Sequence, residues 1–205
     1  MEGPSHFRGR HRWRDWLNRG RHFSTVRFAF LRDSRSENPA FWEAYGEGRA
    51  ELDRIRAEGP TENLLRLLGA LGSYARVLHR LDEAIDFLTE ALELSRFLDK
   101  KSFEAANLIR LGTAYQYAGQ AHQAEVLFKQ ALDLTEEPEA ASYRDFAWQH
   151  LGKLLVEEGL FQEGRHCLEV ALKIRIAKGD AELIHSTQSA LSALRALEND
   201  PYSPY

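Results

Sequence analysis

The stretch LGTAYQYAG, residues 111–119, decides the fold, because it sets a glycine inside a helical pattern where glycine costs about 1 kcal/mol relative to alanine. Leu108, Leu111, Gly112 and Tyr115 fall at i, i+3, i+4 and i+7, one face of a helix, so Gly112 lies on the packing face. The same glycine returns at Gly72 and Gly152, forty residues to either side. An offset of forty also aligns Leu71 with Leu111 and Leu151, Ala84 with Ala124 and Gly164, and Leu88 with Phe128 and Leu168. Ala91, Ala131 and Ala171 follow, and then Leu92, Leu132 and Leu172. After the break at Gly119-Gln120, Ala124, Leu127, Phe128 and Ala131 repeat the helical spacing. Each unit therefore reads as two antiparallel helices joined by a short turn. Gly112 is accepted because the second helix of its own pair needs the space a side chain would fill. One pair cannot bury its outer apolar stripe alone, and stacking the next pair buries it.

The pattern predicts helices over 62–78, 81–97, 102–118, 121–134, 140–158, 161–178 and 181–198, with Thr61 and Ser102 as N-caps and Gly179-Asp180 as a stop followed by a start. The last helix keeps Leu191 in phase, has Ser192 where the glycine stood, and reads as a terminal cap. Asn38-Pro39, a cap residue and a first-turn proline, opens a further helix within 38–60 that closes the other end. The organisation is thus a basic, aromatic N-terminal arm over 1–37, a flanking helix over 38–60, three helix pairs and a capping helix over 61–198, and a tail over 199–205.

The 205 residues, 43% hydrophobic and 28% charged, suit a soluble repeat array. No run approaches the roughly 18 apolar residues of a membrane-spanning helix, and the opening MEGPSHFRGR lacks the apolar stretch of a secretory signal. A cytoplasmic location is expected, and the single Cys167 agrees with it. The net charge of −4 is unevenly split: residues 1–37 carry nine arginines against four acids, so the body is strongly acidic.

These residues resemble tetratricopeptide repeats. Trp148, Leu151 and Gly152 carry the opening of that family's signature; Leu111, Gly112, Tyr115, Ala124, Phe128 and Ala131 carry nearly all the rest. The resemblance covers about residues 62–198, with a period of forty in place of the common thirty-four, as in the subset found in bacterial regulators and kinesin light chains. It implies an all-α, right-handed superhelical solenoid of antiparallel helix pairs, whose first helices line a concave groove for a peptide or a partner's helix. Carried onto this chain, the groove positions are Arg66, Ser73 and Arg76, then Ile109, Thr113, Gln116 and Tyr117, then Phe146, Gln149 and Lys153. The three cations among them suit a segment bearing acidic residues. Ser73, Thr113 and Lys153 stand where a chaperone-tail clamp wants asparagine, so that family use is disfavoured.

The arm interleaves Arg8, Arg10, Arg12, Arg14, Arg19 and Arg21 with Trp13 and Trp16, and continues to Phe28 and Phe30. Three readings stand beside one another: contact with a protein partner or with the chain's own first helix pair, nucleic-acid binding through phosphates and bases, and docking on a membrane surface.

No nucleophile motif, glycine-rich phosphate loop or metal-ligand spacing occurs, so neither a cofactor nor a metal is expected. Cys167 aligns with Phe87 and Leu127, positions of apolar packing, and reads as a core thiol. His150 aligns with Ala70 and Arg110 and reads as a surface residue. The sequence thus points to a non-enzymatic adaptor that binds a peptide or partner helix in the groove, with the basic arm available as a second contact; exposed array ends leave a homo-oligomer open, and the sequence does not give the oligomeric state. The alternative is a nucleic-acid-binding regulator that uses the arm for contact and the repeats for dimerisation or sensing.

Overall fold

A computed structural model describes residues 30–32 and 35–199. The described residues form eight α-helices: α1 (Pro39–Ala57), α2 (Glu62–Val77), α3 (Leu81–Phe97), α4 (Lys101–Tyr117), α5 (Ala121–Leu134), α6 (Arg144–Glu157), α7 (Phe161–Lys178) and α8 (Ala181–Glu198). The helices α2 with α3, α4 with α5, and α6 with α7 make the three closest pairings, and each pair packs on the next through α3 on α4, α5 on α6 and α7 on α8. Successive first helices also touch, α2 with α4, α4 with α6 and α6 with α8, whereas the second helices share no comparable contact among the described residues. Elements that converge on one side and splay on the other make a curved stack, and the first helices line its concave face.

The repeated glycines are the pivots of that packing. A Cβ on Gly72 would stand 2.4 Å from Leu88 Cγ, and one on Gly112 would stand 2.6 Å from Phe128 Cε1. In the third pair both helices are glycine at the crossing: a Cβ on Gly152 would meet the Gly164 carbonyl at 3.1 Å, and one on Gly164 would meet Val156 Cγ2 at 2.6 Å. Gly164, which stands where the other units have alanine, therefore marks the pair whose backbones approach most closely. Leu68, Leu88, Phe128, Leu151 and Leu168 are wholly buried between the layers, and Cys167 is buried with them.

Each pair turns at one residue with positive φ: His79, Gly119 and Gly159, again forty apart. The left-handed region carries a penalty for a residue with a Cβ and none for glycine. Caps follow the sequence in part. Thr61 accepts from the Leu64 N–H at 3.3 Å, and Asp180 accepts from Leu183 at 3.0 Å. Ser102 does not cap α4: the helix already begins at Lys101, after Asp99 has made the turn with φ of 50°. The helix expected over 140–158 divides into a 3-10 turn at Ala141–Tyr143 and α6 proper, because the residues after Pro138 are still in tight turns.

Candidate functional site

Along the first helices, the position three before each repeated glycine, the one after it and the one five after it stand at i, i+4 and i+8, in register on one face. They are Gly69, Ser73 and Val77 on α2; Ile109, Thr113 and Tyr117 on α4; and Gln149, Lys153 and Glu157 on α6. The hydroxyls are satisfied locally: Ser73 donates to the Gly69 carbonyl and Thr113 to the Ile109 carbonyl, both at 2.8 Å. Thr113 also lies 3.2 Å from His150 Nδ1, and the His150 ring sits 5.8 Å from that of Phe128. His150 is thus half-buried and joins α6 to the α4–α5 pair, unlike the surface residue expected from its repeat equivalents. Gln116 and Gln149 are both buried, and Gln149 Oε1 has no hydrogen-bond partner among the described residues.

The groove residues proposed from the sequence fall into two sets. Ile109, Thr113, Gln116, Tyr117, Gln149 and Lys153 lie on adjacent first helices, and Arg76 reaches them by placing its guanidinium 4.9 Å from the Tyr117 ring centre. Ser73 extends the row on α2. Arg66 lies at the other end of α2, exposed, paired with Glu62 at 2.6 Å and stacked over Phe103. Phe146 packs beneath cations of the second helix, with Arg175 at 5.2 Å and Lys178 at 6.0 Å from its ring.

A segment of the chain itself lies against this row. Phe30 is buried among Val156, Leu168, Ala190, Leu191 and Leu194, where α6, α7 and α8 meet. Its N–H donates to Glu157 Oε1 at 3.0 Å. The Arg32 Nε donates to the same oxygen at 2.8 Å and its Nη2 to Glu157 Oε2 at 2.5 Å, while Nη1 reaches the Tyr117 carbonyl at 3.4 Å. The Glu157 carboxylate, hydrogen-bonded to Arg32, raises the arginine's pKa further above its ordinary value. Lys153 Nζ donates to the Leu31 carbonyl at 2.5 Å, and the Ser36 N–H donates to the Val77 carbonyl at 3.1 Å. The expectation that arm aromatics tuck against the first helix pair is corrected at Phe30, which packs on the last layers instead. Arg8, Arg10, Arg12, Trp13, Arg14, Trp16, Arg19 and Arg21 lie outside the described residues.

The sequence reading did not single out Glu157 or Arg32. A signal was present, since Glu157 aligns with Val77 and Tyr117, and an acid at an inward repeat position requires a partner. A second buried ion pair joins the capping helix to the array. Asp145, wholly buried in the first turn of α6, accepts from Arg175 Nε at 2.8 Å and from Lys178 in the last turn of α7. Arg175 also donates to Thr187 Oγ1 and the Leu183 carbonyl on α8. This arrangement suits the dipoles of the two helix ends and fixes how α8 docks.

Open depressions of about 490 and 370 Å³ lie elsewhere, near the starts of α4 and at the α4–α5 edge, lined by charges of both signs such as Glu62, Lys100 and Lys101, or Arg96 and Glu104. Among the described residues no group of three or more His, Cys, Asp or Glu could hold a metal ion, and no helix is long and apolar enough to cross a membrane.

Comparison with known proteins agrees with this geometry. The tetratricopeptide-repeat family model matches residues 63–137. A search of curated proteins finds no match. Among solved structures, BtubC (BKLC) from P. vanneervenii superposes with a TM-score of 0.56 at 18% identity, covering 81% of this chain and 77% of that one. A Podosopora anserina protein described as kinesin light chain with nearly identical TPR-like repeats gives 0.53 at 16% identity, covering 76% and 84%. At such identities the likeness speaks for the fold. Residues 63–137 thus match the tetratricopeptide-repeat family model, and the helices on either side continue the same solenoid fold.

Proposed function

We propose that the chain is a non-enzymatic interaction module whose concave face binds a segment of another protein. The observation that carries this reading is that a length of polypeptide already lies there, its main chain bonded to Lys153 and Glu157 through the Leu31 carbonyl and the Phe30 N–H. Around it stand the mixed surfaces such recognition uses: Ile109 and Tyr117 as apolar walls, Thr113, Gln116 and Gln149 as hydrogen-bonding groups, and Arg76 and Lys153 as cations. Tetratricopeptide arrays generally serve protein–protein contact, which supports the same conclusion.

The test is to select peptides from a random display library against the full chain and titrate a selected peptide into substituted forms. Arg76→Glu combined with Lys153→Glu is expected to weaken binding by about tenfold or more, with the far-ultraviolet circular dichroism unchanged. Equal affinity for the parent and the doubly substituted chain would place the binding surface elsewhere.

A further inference from the structure

Glu157 is chemically out of place in the groove. Its side chain is 1% exposed, and the same register position holds Val77 and Tyr117 on the preceding first helices. A buried carboxylate stays ionised only where a partner supplies both charge and hydrogen bonds. Arg32 supplies them as two near-parallel bonds of 2.8 and 2.5 Å, the fork geometry that a guanidinium offers and an ammonium does not. The guanidinium is held 5.3 Å from the Tyr117 ring centre. Two residues earlier, Phe30 fills the apolar recess between α6, α7 and α8. Leu31, between them, is 45% exposed, turns the chain with φ of 51°, and offers its carbonyl to Lys153. The bend at Phe30 and Leu31 sends the first and third side chains into the site and leaves the middle one outside, so those two are read while the middle position is free to vary.

We propose that this recess is a peptide-recognition site for an aromatic residue followed two positions later by arginine, that Phe30-Leu31-Arg32 is its resident occupant, and that a partner protein carrying the same pattern displaces it. The proposal rests on the reading of the groove as a protein-binding face and names the segment that face accepts. The Arg32 side chain is 21% exposed, so the site is open at its rim. When the segment lifts away, water reaches Glu157, and whatever re-covers that carboxylate has to bring a guanidinium of its own. The neighbouring Glu158, also buried, adds to the negative potential. The partner is therefore basic and aromatic at this end of the groove, in contrast to the acidic segment that Arg66, Arg76 and Lys153 suggested from sequence.

The test uses the full chain and a fluorescently labelled peptide, FAFLRDSR, copied from residues 28–35. The intact chain is expected to bind it weakly, because the resident segment competes. A chain with Phe30→Ala and Arg32→Ala is expected to bind at least about tenfold more tightly, the factor that follows when the open state is a tenth or less of the intact population. Adding Glu157→Gln to that chain, or replacing the peptide's arginine with glutamine, is expected to remove the gain. Equal affinity for the intact and doubly substituted chains, or tight binding indifferent to Glu157→Gln, overturns the proposal. If such indifference accompanies a loss with Arg76→Glu and Lys153→Glu, only the aromatic-x-arginine reading falls; if neither pair matters, the groove reading falls with it.

Should the substituted chains fail to fold, a dye placed through Leu31→Cys reports on the otherwise intact segment, Cys167 being buried. Excess peptide is expected to free the dye, and the glutamine peptide to leave it bound; a dye that does not respond to saturating peptide overturns the proposal. So does a dimer that the peptide dissociates, since the occupant would then be a second copy.

Discussion

The glycine at the centre of the second pair allows a quantitative check, because the same substitution at two helical glycines is expected to act in opposite directions. Gly46 lies within α1 with nothing inside 4 Å of an added Cβ, so Gly46→Ala gains helix propensity alone, about 1 kcal/mol. Gly112→Ala gains the same propensity and meets Phe128, whose Cε1 and Cδ1 stand 2.6 and 2.9 Å from the new carbon. Ordinary contact begins near 3.4 Å, so the ring would have to retreat by about 0.8 Å. Phe128 is wholly buried in a core packed to crystal-like density, and overpacking of this kind costs about 1–3 kcal/mol. Subtracting the propensity gain leaves a net loss of up to about 2 kcal/mol, and Gly112→Leu, with three more carbons, should exceed it. In thermal melts each kcal/mol moves the midpoint by roughly 2–4 °C for a chain of this size, upward for Gly46→Ala and downward for Gly112→Ala. Phe128→Leu should itself destabilise, yet in that background the penalty at Gly112 should shrink, giving a coupling of about 0.5 kcal/mol or more. A Gly112→Ala chain that melts as high as Gly46→Ala would refute the placement of the glycine against the second helix.

Asp145→Ala should cost about 3–5 kcal/mol in urea unfolding, since it strands the buried Arg175 guanidinium; a loss under about 1 kcal/mol would show that Arg175 finds water. Tyr45 donates to Glu83 and, with Arg80, holds that carboxyl below its ordinary value. A depressed folded-state pKa contributes stability above the unfolded value, near 4.5, and loses it as pH falls through the folded value. Tyr45→Phe should therefore destabilise by about 1 kcal/mol at neutral pH, with the difference from the parent narrowing as the pH falls below the ordinary carboxylate value; a gap independent of pH would exclude this linkage. His79→Gly should raise the melting midpoint slightly, because it relieves a left-handed residue with a Cβ, although it gives up the edge contact with Tyr117; a large fall would mean that the ring contact dominates.

The repeat architecture was legible because its cause is local and periodic: a small residue every forty positions can be seen without knowing what it touches. The same periodicity located the turns, where Gly119 and Gly159 announce a left-handed residue and His79 hides one. The start of α4 was misread at Ser102, since a good capping side chain was present but Asp99 had already turned the chain. The Arg32–Glu157 and Asp145–Arg175 pairs were illegible for another reason. Each joins residues on different elements, and a charged residue on a helix looks the same in sequence whether it faces water or a partner brought in from 125 residues away. Only the break in repeat register at Glu157 hinted at it. Phe146 shared its helical stripe with Gln149 and Lys153 but packs toward α7, so spacing alone placed it too near the groove.

Linear arrays unravel from their ends, because each unit leans only on its neighbours. Here residues 30–32, which precede the first described helix, are pinned to the final pair, with hydrogen bonds spanning 122 to 127 positions. Loosening α8 therefore undoes the seat of Phe30, and freeing residues 30–32 uncovers the last layer, so the two melt together. Such closure favours one sharp transition over stepwise fraying, and the loop it draws shut delays folding relative to an open stack of the same length.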